Sequence, residues 1–383
     1  MLISDSYKKA GYSQDEFKLD LRAYKNSTHV LTVRTDTIAL LEFLPDIIGD
    51  RLIFNVYNPV SIAGYGKVPL KENPKASIVK EAIPDEAKEE LQRDGCGYVL
   101  ATKGKDGRPL LLFPSHDLMQ SLQRHAKIDK DALPDNKTIR FMAIMDRIYA
   151  RGKKKENLKI IYRTEKWRNR YKNLVHINKA FNVCSENYVY HDPYIMYTVL
   201  DILIRDCGAR FYRYQIDNEK VKAAVEFPDM AYKDIIPGIE IITSDSGKMS
   251  TYVKGTARLK GCTEFSYMVF DDYKHTLNIN QDTIYESALT CLEEAKKRIR
   301  KAVDDTSLLD DSEIRNRASN TRFRKTIGEP RYREFKQELS GIRQSGEVWK
   351  EMLKLPDRYK ADMAESFFER LLTAVGEWVI VNK

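Results

Sequence analysis

The sequence predicts an α+β fold with mixed and antiparallel sheets, a β-β-β-α core unit and a helical C-terminal region. Three observations lead there. Short runs that alternate apolar and polar residues, the pattern of half-buried strands, recur from His29 to Phe270. Two such runs flank Lys105-Asp106-Gly107-Arg108, and Asp-Gly is a strong hairpin turn. A long amphipathic segment, Thr283 to Val303, follows the last strand run, and beyond it the periodicity is helical only.

Along the chain, His29 to Arg34 and Arg51 to Tyr57 read as strands. Thr37 to Leu44 between them reads as a short helix ended by Pro45. Pro59 to Asn73, rich in Gly, Pro and Lys, reads as an exposed loop, and Ala82 to Arg93 has helical spacing. Gly97 to Thr102 and Pro109 to Phe113 form the Asp-Gly hairpin. Ser115 is placed to cap a helix reaching Ala126. A loop from Asp129 to Lys137 leads to an apolar-spaced segment, Ile139 to Tyr149.

Pro193 to Arg205 is apolar on most sides, so it reads as a buried helix with Pro at its first turn. Strands are expected at Phe211 to Ile216, Val221 to Phe227, Gly238 to Ser244, Ser250 to Leu259 and Glu264 to Phe270. In the long helix that follows, Ile284, Ala288, Cys291, Ala295, Ile299 and Ala302 share one stripe. Asp304-Asp305 and Asp310-Asp311 form an acidic linker, and helices return at Gly346 to Lys354 and Asp362 to Val375. The organisation expected is an α/β region over 1–150, a β-rich core over 151–303 and a linker with helices over 304–383.

The chain has 383 residues, 42% hydrophobic and 31% charged, enough for more than one core. No apolar run reaches the roughly 18 residues of a membrane-spanning helix, and the N-terminus lacks a secretory apolar region. The five cysteines (Cys96, Cys184, Cys207, Cys262, Cys291) are scattered without a CxxC, which suits unpaired thiols in a reducing compartment. The expected location is the cytoplasm.

Residues 151–172 hold ten Lys/Arg against two Glu, while the whole chain carries a net charge of +8. The rest of the chain therefore sums to zero. Tyr162, Trp167 and Tyr171 stand among the cations, and cations interleaved with stacking rings are how proteins hold single strands without reading their sequence. Lys153, Lys154, Lys155, Lys159, Arg163, Lys166, Arg168 and Arg170 are the candidate phosphate contacts, with Trp167 and Tyr171 as stacking platforms. A second patch, Arg315 to Lys336, holds eight cations against two acids and supplies Arg322, Arg324 and Lys325 as candidates. The alternative is a solvated basic face, which is what most charge runs are.

Chemistry-bearing motifs are scarce. Gly64-Tyr65-Gly66-Lys67 lacks the spacing of a phosphate-binding loop, and no GxGxxG, HExxH or GxSxG occurs. Ser115-His116-Asp117 and His191-Asp192 pair imidazole with carboxylate, but Asp117 and Asp192 both stand where helices begin and cap free N–H groups there. No cofactor and no metal are expected.

One stretch carries a signature: Pro237, Gly238, Glu240, Ser244, Asp245, Gly247, Cys262, Thr263 and His275. In this arrangement a Pro-Gly-x-Glu strand, a Ser-Asp-x-Gly turn, a strand ending in Cys-Thr and a later His resemble a family of phage- and plasmid-borne proteins of unassigned function. Glu264-Phe265 stands where that family has an Asn soon after the Cys. The strand, turn, strand, strand, long-helix order resembles, at the level of fold, the core of phage single-strand annealing proteins.

The resemblance implies a phage or plasmid protein that binds and anneals single-stranded DNA (or RNA) in replication or recombination. It would work without ATP and as a homo-oligomer, with Trp349, Trp378, Phe367 and Phe368 as packing anchors of a C-terminal assembly region. The alternative is a non-catalytic virion component or host-defence inhibitor with a host or phage protein as partner. If the chain is an enzyme, a metal-dependent nuclease would draw on Asp117, Asp192, Asp201, Asp206 and Asp272.

Overall fold

The computed structural model describes residues 9–34, 38–48, 51–57, 98–103, 109–129, 140, 143–145, 147–148, 157–168, 174–217, 220–244 and 249–379. The class is α+β: one antiparallel sheet and one mixed sheet, with helices on their faces and a helical C-terminal block.

The antiparallel sheet has six strands. They are β1 (Lys9–Gly11), β9 (Arg210–Ile216), β10 (Val221–Glu226), β11 (Ile235–Thr243), β12 (Thr251–Leu259) and β13 (Ser266–Tyr273), in spatial order β1-β9-β10-β11-β12-β13. On its first face lie α1 (Gln14–Ser27), α3 (Pro193–Cys207) and α4 (Gln281–Val303). Phe17, Leu21, Val199, Leu203, Ile239, Ile241, Val253, Ile284 and Ala288 close the core between them. Each large apolar side chain buried there stabilises the fold by about 1.5–3 kcal/mol.

The stripe read from the sequence is the face by which α4 meets the sheet. At Gly255 of β12 a Cβ would fall 2.5 Å from the Cys291 carbonyl oxygen, so only glycine lets the helix lie so close. Every residue of β10 and β11 is buried, because the second face is covered as well.

That second cover is the C-terminal block: α5 (Asp311–Asn320), α6 (Phe323–Ile327), α7 (Glu329–Glu338), α8 (Ser345–Met352), α9 (Leu355–Tyr359) and α10 (Glu365–Glu377). Ile314, Phe323, Phe335, Trp349, Met352, Leu371 and Trp378 form its core and merge with Ile299 and Ala302 of α4. Expected as a linker, Asp304 to Asp311 is a structured joint. Asp304 accepts from the Tyr232 hydroxyl at 2.8 Å, and Asp310 caps α5 in a reciprocal box with Glu313.

The mixed sheet has seven strands in the order β2-β7-β8-β6-β5-β3-β4. These are β2 (Thr28–Arg34), β3 (Ala39–Ile48), β4 (Arg51–Tyr57), β5 (Tyr98–Lys103), β6 (Pro109–Pro114), β7 (Asn157–Arg168) and β8 (Leu174–Ser185). The β6–β8 pair is parallel, and α2 (His116–Ala126) packs over β8, capped by Ser115 through Leu118 N at 3.2 Å.

Two expectations are corrected. Residues 37–44 were expected to be helical, but β3 is a strand paired with β4 and β5. Pro45, read as a helix stop, falls where the β3–β4 register breaks between Phe43 and Ile47, a position that tolerates proline in a sheet. The boundary at 150/151 falls inside the mixed sheet, since β2 pairs with β7 from Thr28↔Arg163 to Arg34↔Asn157. The expected loop at 59–73 and helix at 82–93 lie outside the described residues.

Candidate nucleic-acid groove

The basic stretch divides by position. Lys153, Lys154, Lys155, Arg170 and Tyr171 lie outside the described residues. Lys166, Trp167 and Arg168 are on β7, of which only the backbone is described there. Arg163 is a correction: it is 2% exposed. Its guanidinium donates to the Tyr24 hydroxyl and to Thr28 Oγ1 at 3.2 Å. It is stacked 4.1 Å from the Tyr24 ring and 5.1 Å from that of Phe181. A cation spent on an internal aromatic pocket does not reach phosphate. Lys159 is half-buried and donates to the Tyr188 carbonyl at 2.6 Å.

The second patch fares differently. Arg322, at φ 59°, turns the chain between α5 and α6. It lines, with Lys325, an open groove of about 570 Å³ between α6 and α10. The neighbouring Arg324 turns away, donating to Glu329 at 2.7 Å with its guanidinium 5.2 Å from the Tyr332 ring. From α10 come Phe367 and Arg370, and from the sheet below comes Lys254. Arg322, Lys325 and Arg370 are exposed and form no ion pair among the described residues. Arg370 lies 5.4 Å over the Phe367 ring, which is itself 48% exposed.

A second ring stands beside the floor. Phe270 is directly opposite Lys254 in the β12–β13 ladder, so both point to the same face, and Phe270 is 60% exposed. Glu369 and Glu377 supply the acidic part of the lining. Burial pushes the Glu377 carboxyl up, opposed by the field of Arg322.

Beneath α10 the groove rests on a buried polar network. Lys222 pairs with Glu369, Lys254 Nζ lies 3.7 Å from Glu369, and the Tyr267 hydroxyl, with one proton to donate, lies 2.7 Å from Glu240 and 3.0 Å from Glu369. Lys254 also sits 3.6 Å over the Tyr267 ring. Burial lowers the pKa of Lys254 more than the two glutamates restore it. For Lys222 burial acts the same way but Glu369 and Glu240 outweigh it, so its pKa is raised. Burial would lift Glu369, and the two lysines more than offset that.

The signature residues occupy structural positions. Pro237, Gly238 and Glu240 are on β11, and a Cβ at Gly238 would lie 2.6 Å from the Val225 carbonyl oxygen. Ser244 is buried at the end of that strand, while Asp245 and Gly247 lie outside the described residues. Burial pushes the Cys262 thiol up to about 11, which removes it as a nucleophile at neutral pH. Thr263 N donates to both Asp357 oxygens, at 3.0 and 2.9 Å. His275 stacks 4.0 Å from His191, and Nδ1 of His275 meets the Val189 carbonyl at 2.9 Å.

Nor do the catalytic alternatives converge. Asp192 caps α3 through Tyr194 N at 2.9 Å and pairs with Lys25, and Asp201 pairs with Arg205 at 3.1 Å. Among the described residues no three His, Cys, Asp or Glu side chains group as metal ligands, and no helix is long and apolar enough to cross a membrane.

Trp349 and Trp378 are each 1% exposed in the chain's own core, Trp349 Nε1 donating to Val375 O at 3.2 Å. That corrects their reading as assembly anchors. Lys254, Phe270 and Arg370 were not singled out in the sequence. A signal existed for one of them: Phe368, Leu371, Leu372 and Val375 make the buried stripe of α10, leaving Phe367 and Arg370 outside it, three residues apart.

Comparisons with protein-family models, with curated proteins and with solved structures return no match.

Proposed function

We propose that the chain binds single-stranded DNA along the α6–α10 groove, sequence-tolerantly and without ATP, to anneal or protect strands of a phage or plasmid. The observation that carries this is the pairing of exposed rings with uncommitted cations. Phe367 and Phe270 stand ready to stack bases, and Arg322, Lys325 and Arg370 are free of carboxylate partners among the described residues. Base stacking contributes about 1–3 kcal/mol per ring, and each neutralised phosphate adds a salt-dependent increment. The annealing role rests on the resemblance of the β11-β12-β13-α4 unit to phage annealing proteins.

The test is affinity for an oligothymidine across a salt series, with magnesium and with chelator. Replacing Arg322, Lys325 and Arg370 together with Ala should reduce the log–log salt slope by about 2, at roughly 0.7 per phosphate for single strands. Phe367→Ala should cost about 1–3 kcal/mol with the slope unchanged. Parent-like binding by both variants would place the interface elsewhere, and magnesium-dependent strand cleavage would replace the reading with a nuclease.

A further inference from the structure

On the opposite flank of α10 from the groove lies a second cavity, of about 450 Å³, bounded by β1, β9–β11 and α10. That volume is in the range of roughly 300–1,000 Å³ that holds small ligands. Among its buried carboxylates, Glu264 is paired with Arg213 and Lys360, whereas Glu240, 3% exposed, forms no ion pair among the described residues. Oε2 of Glu240 accepts from the Tyr267 hydroxyl at 2.7 Å. Among the described residues no donor reaches Oε1, and the carboxylate makes no ion pair. A carboxylate oxygen that borders a cavity and has no protein donor is a place for a ligand N–H.

The neighbouring charges are already committed to one another. Arg213 donates to Glu264 at 2.6 Å, Lys360 to the same carboxylate at 2.5 Å, and Lys222 to Glu369. What Glu240 requires is therefore a hydrogen-bond donor rather than a full counter-charge. The cavity also borders aromatic surface: Tyr267 and Phe368 inside, and Tyr12, 76% exposed, at the mouth with the exposed Lys360. Extruded bases are held by this combination of a polar edge contact and flat apolar walls.

The geometry points to a nucleobase pocket. The cavity takes one unstacked base bearing an exocyclic amino group, whose N–H donates to Glu240 Oε1, with its ring against the aromatic side chains and its sugar and phosphate leaving through the mouth. Thymine is disfavoured, because carbonyl oxygens flank its single ring N–H and face the carboxylate. In its strand-bound form this inference rests on the single-strand reading above, while a free nucleotide presents the same chemistry.

Calorimetry with 5′-dCMP and 5′-dTMP tests the free form. Competition between an oligothymidine and the same oligonucleotide carrying dC in place of some dT tests the strand form. The parent should prefer dC by on the order of tenfold, the worth of a hydrogen bond to a charged acceptor. Glu240→Gln, whose amide can offer either a donor or an acceptor, should bring the two bases to parity. Tyr12 lies outside the core, so Tyr12→Ala keeps the fold and should weaken 5′-dCMP binding several-fold even if Glu240→Gln does not fold.

Indifference of the parent to dC and dT in both forms overturns the pocket. So does a preference that survives Glu240→Gln. Oligothymidine binding that is lost with Arg322, Lys325 and Arg370, but accompanied by no base preference, overturns the pocket and leaves the groove standing. Discrimination among free nucleotides without strand binding upholds the pocket and removes the groove.

Discussion

Glu226 and Arg258 face each other across the six-stranded sheet, with side chains only 3% and 10% exposed. Arg258 Nη2 donates to Glu226 at 2.8 Å, Nε to its other oxygen, and Nη1 to the Cys262 carbonyl at 2.6 Å. Such a pair adds little over an apolar substitute, yet removing one partner strands the other. Glu226→Ala should therefore lower unfolding free energy by about 3–5 kcal/mol in urea titrations, and parent-like stability would refute the pairing. Lys222 and Lys254 give a sharper contrast, since their pKa values move in opposite directions.

Lys222→Met should cost about 3 kcal/mol at pH 7. Lys254 is held below its ordinary value of 10.5, so its charged form is disfavoured by folding and detracts from stability at neutral pH. Lys254→Met should then be neutral or stabilising at pH 7, with any gain shrinking as pH rises toward 10.5. Glu369 is held below 4.5, so its contribution is complete above that pH and is lost as pH falls through the lower folded value. Glu369→Gln should flatten the acid side of the stability–pH curve, and an unchanged acid limb would count against the network.

At the scale of the element, α10 (Glu365–Glu377) is the piece on which both proposed sites depend, and Gly376 sets its distance from the sheet. A Cβ there would fall 1.7 Å from the Tyr267 carbonyl oxygen, a clash with backbone that no rotamer relieves. Gly376→Ala should cost about 3 kcal/mol or more and weaken strand binding too, because Phe367, Glu369 and Arg370 move with the helix. Thermal melts and oligothymidine titrations read the two effects, and a stable variant with parent affinity would show that the helix docks differently. The elements most legible in the sequence were those whose local pattern agrees with their surroundings. The stripe on α4 (Gln281–Val303), the Pro at the first turn of α3 (Pro193–Cys207) and the Ser115 cap are of this kind. β3 (Ala39–Ile48) was not, because a short apolar run fits helix or strand equally. There the pairing with β4 and β5 decides, and Pro45 marks a register break instead of an end.

For the whole molecule, the charge excess at 151–172 was legible and its destination was not. A window of sequence counts cations without showing which ones fold inward, as Arg163 does against Tyr24 and Phe181. The groove was illegible for the converse reason. Lys254, Arg322 and Phe367 come from three separate segments and meet only because α10 crosses the second face of the sheet, with Phe270 opposite Lys254 on the neighbouring strand. The same long-range closure governs how the chain can be divided. β1 pairs with β9, Phe17, Leu21 and Tyr24 of α1 pack with Met196, Val199 and Leu203 of α3, and β2 runs along seven residues of β7. Residues 9–34 thus complete both sheets, and a cut at 150/151 removes them from everything they support. Expressed alone, 151–383 should expose the vacated core and the open edge of β7, bind a hydrophobic dye and unfold without a cooperative transition. Co-expressed with 1–150, it should regain a cooperative transition, because the missing strand and helix can be supplied in trans. A monomeric 151–383 fragment that melts cooperatively would mean that the two sheets are not tied together through residues 9–34.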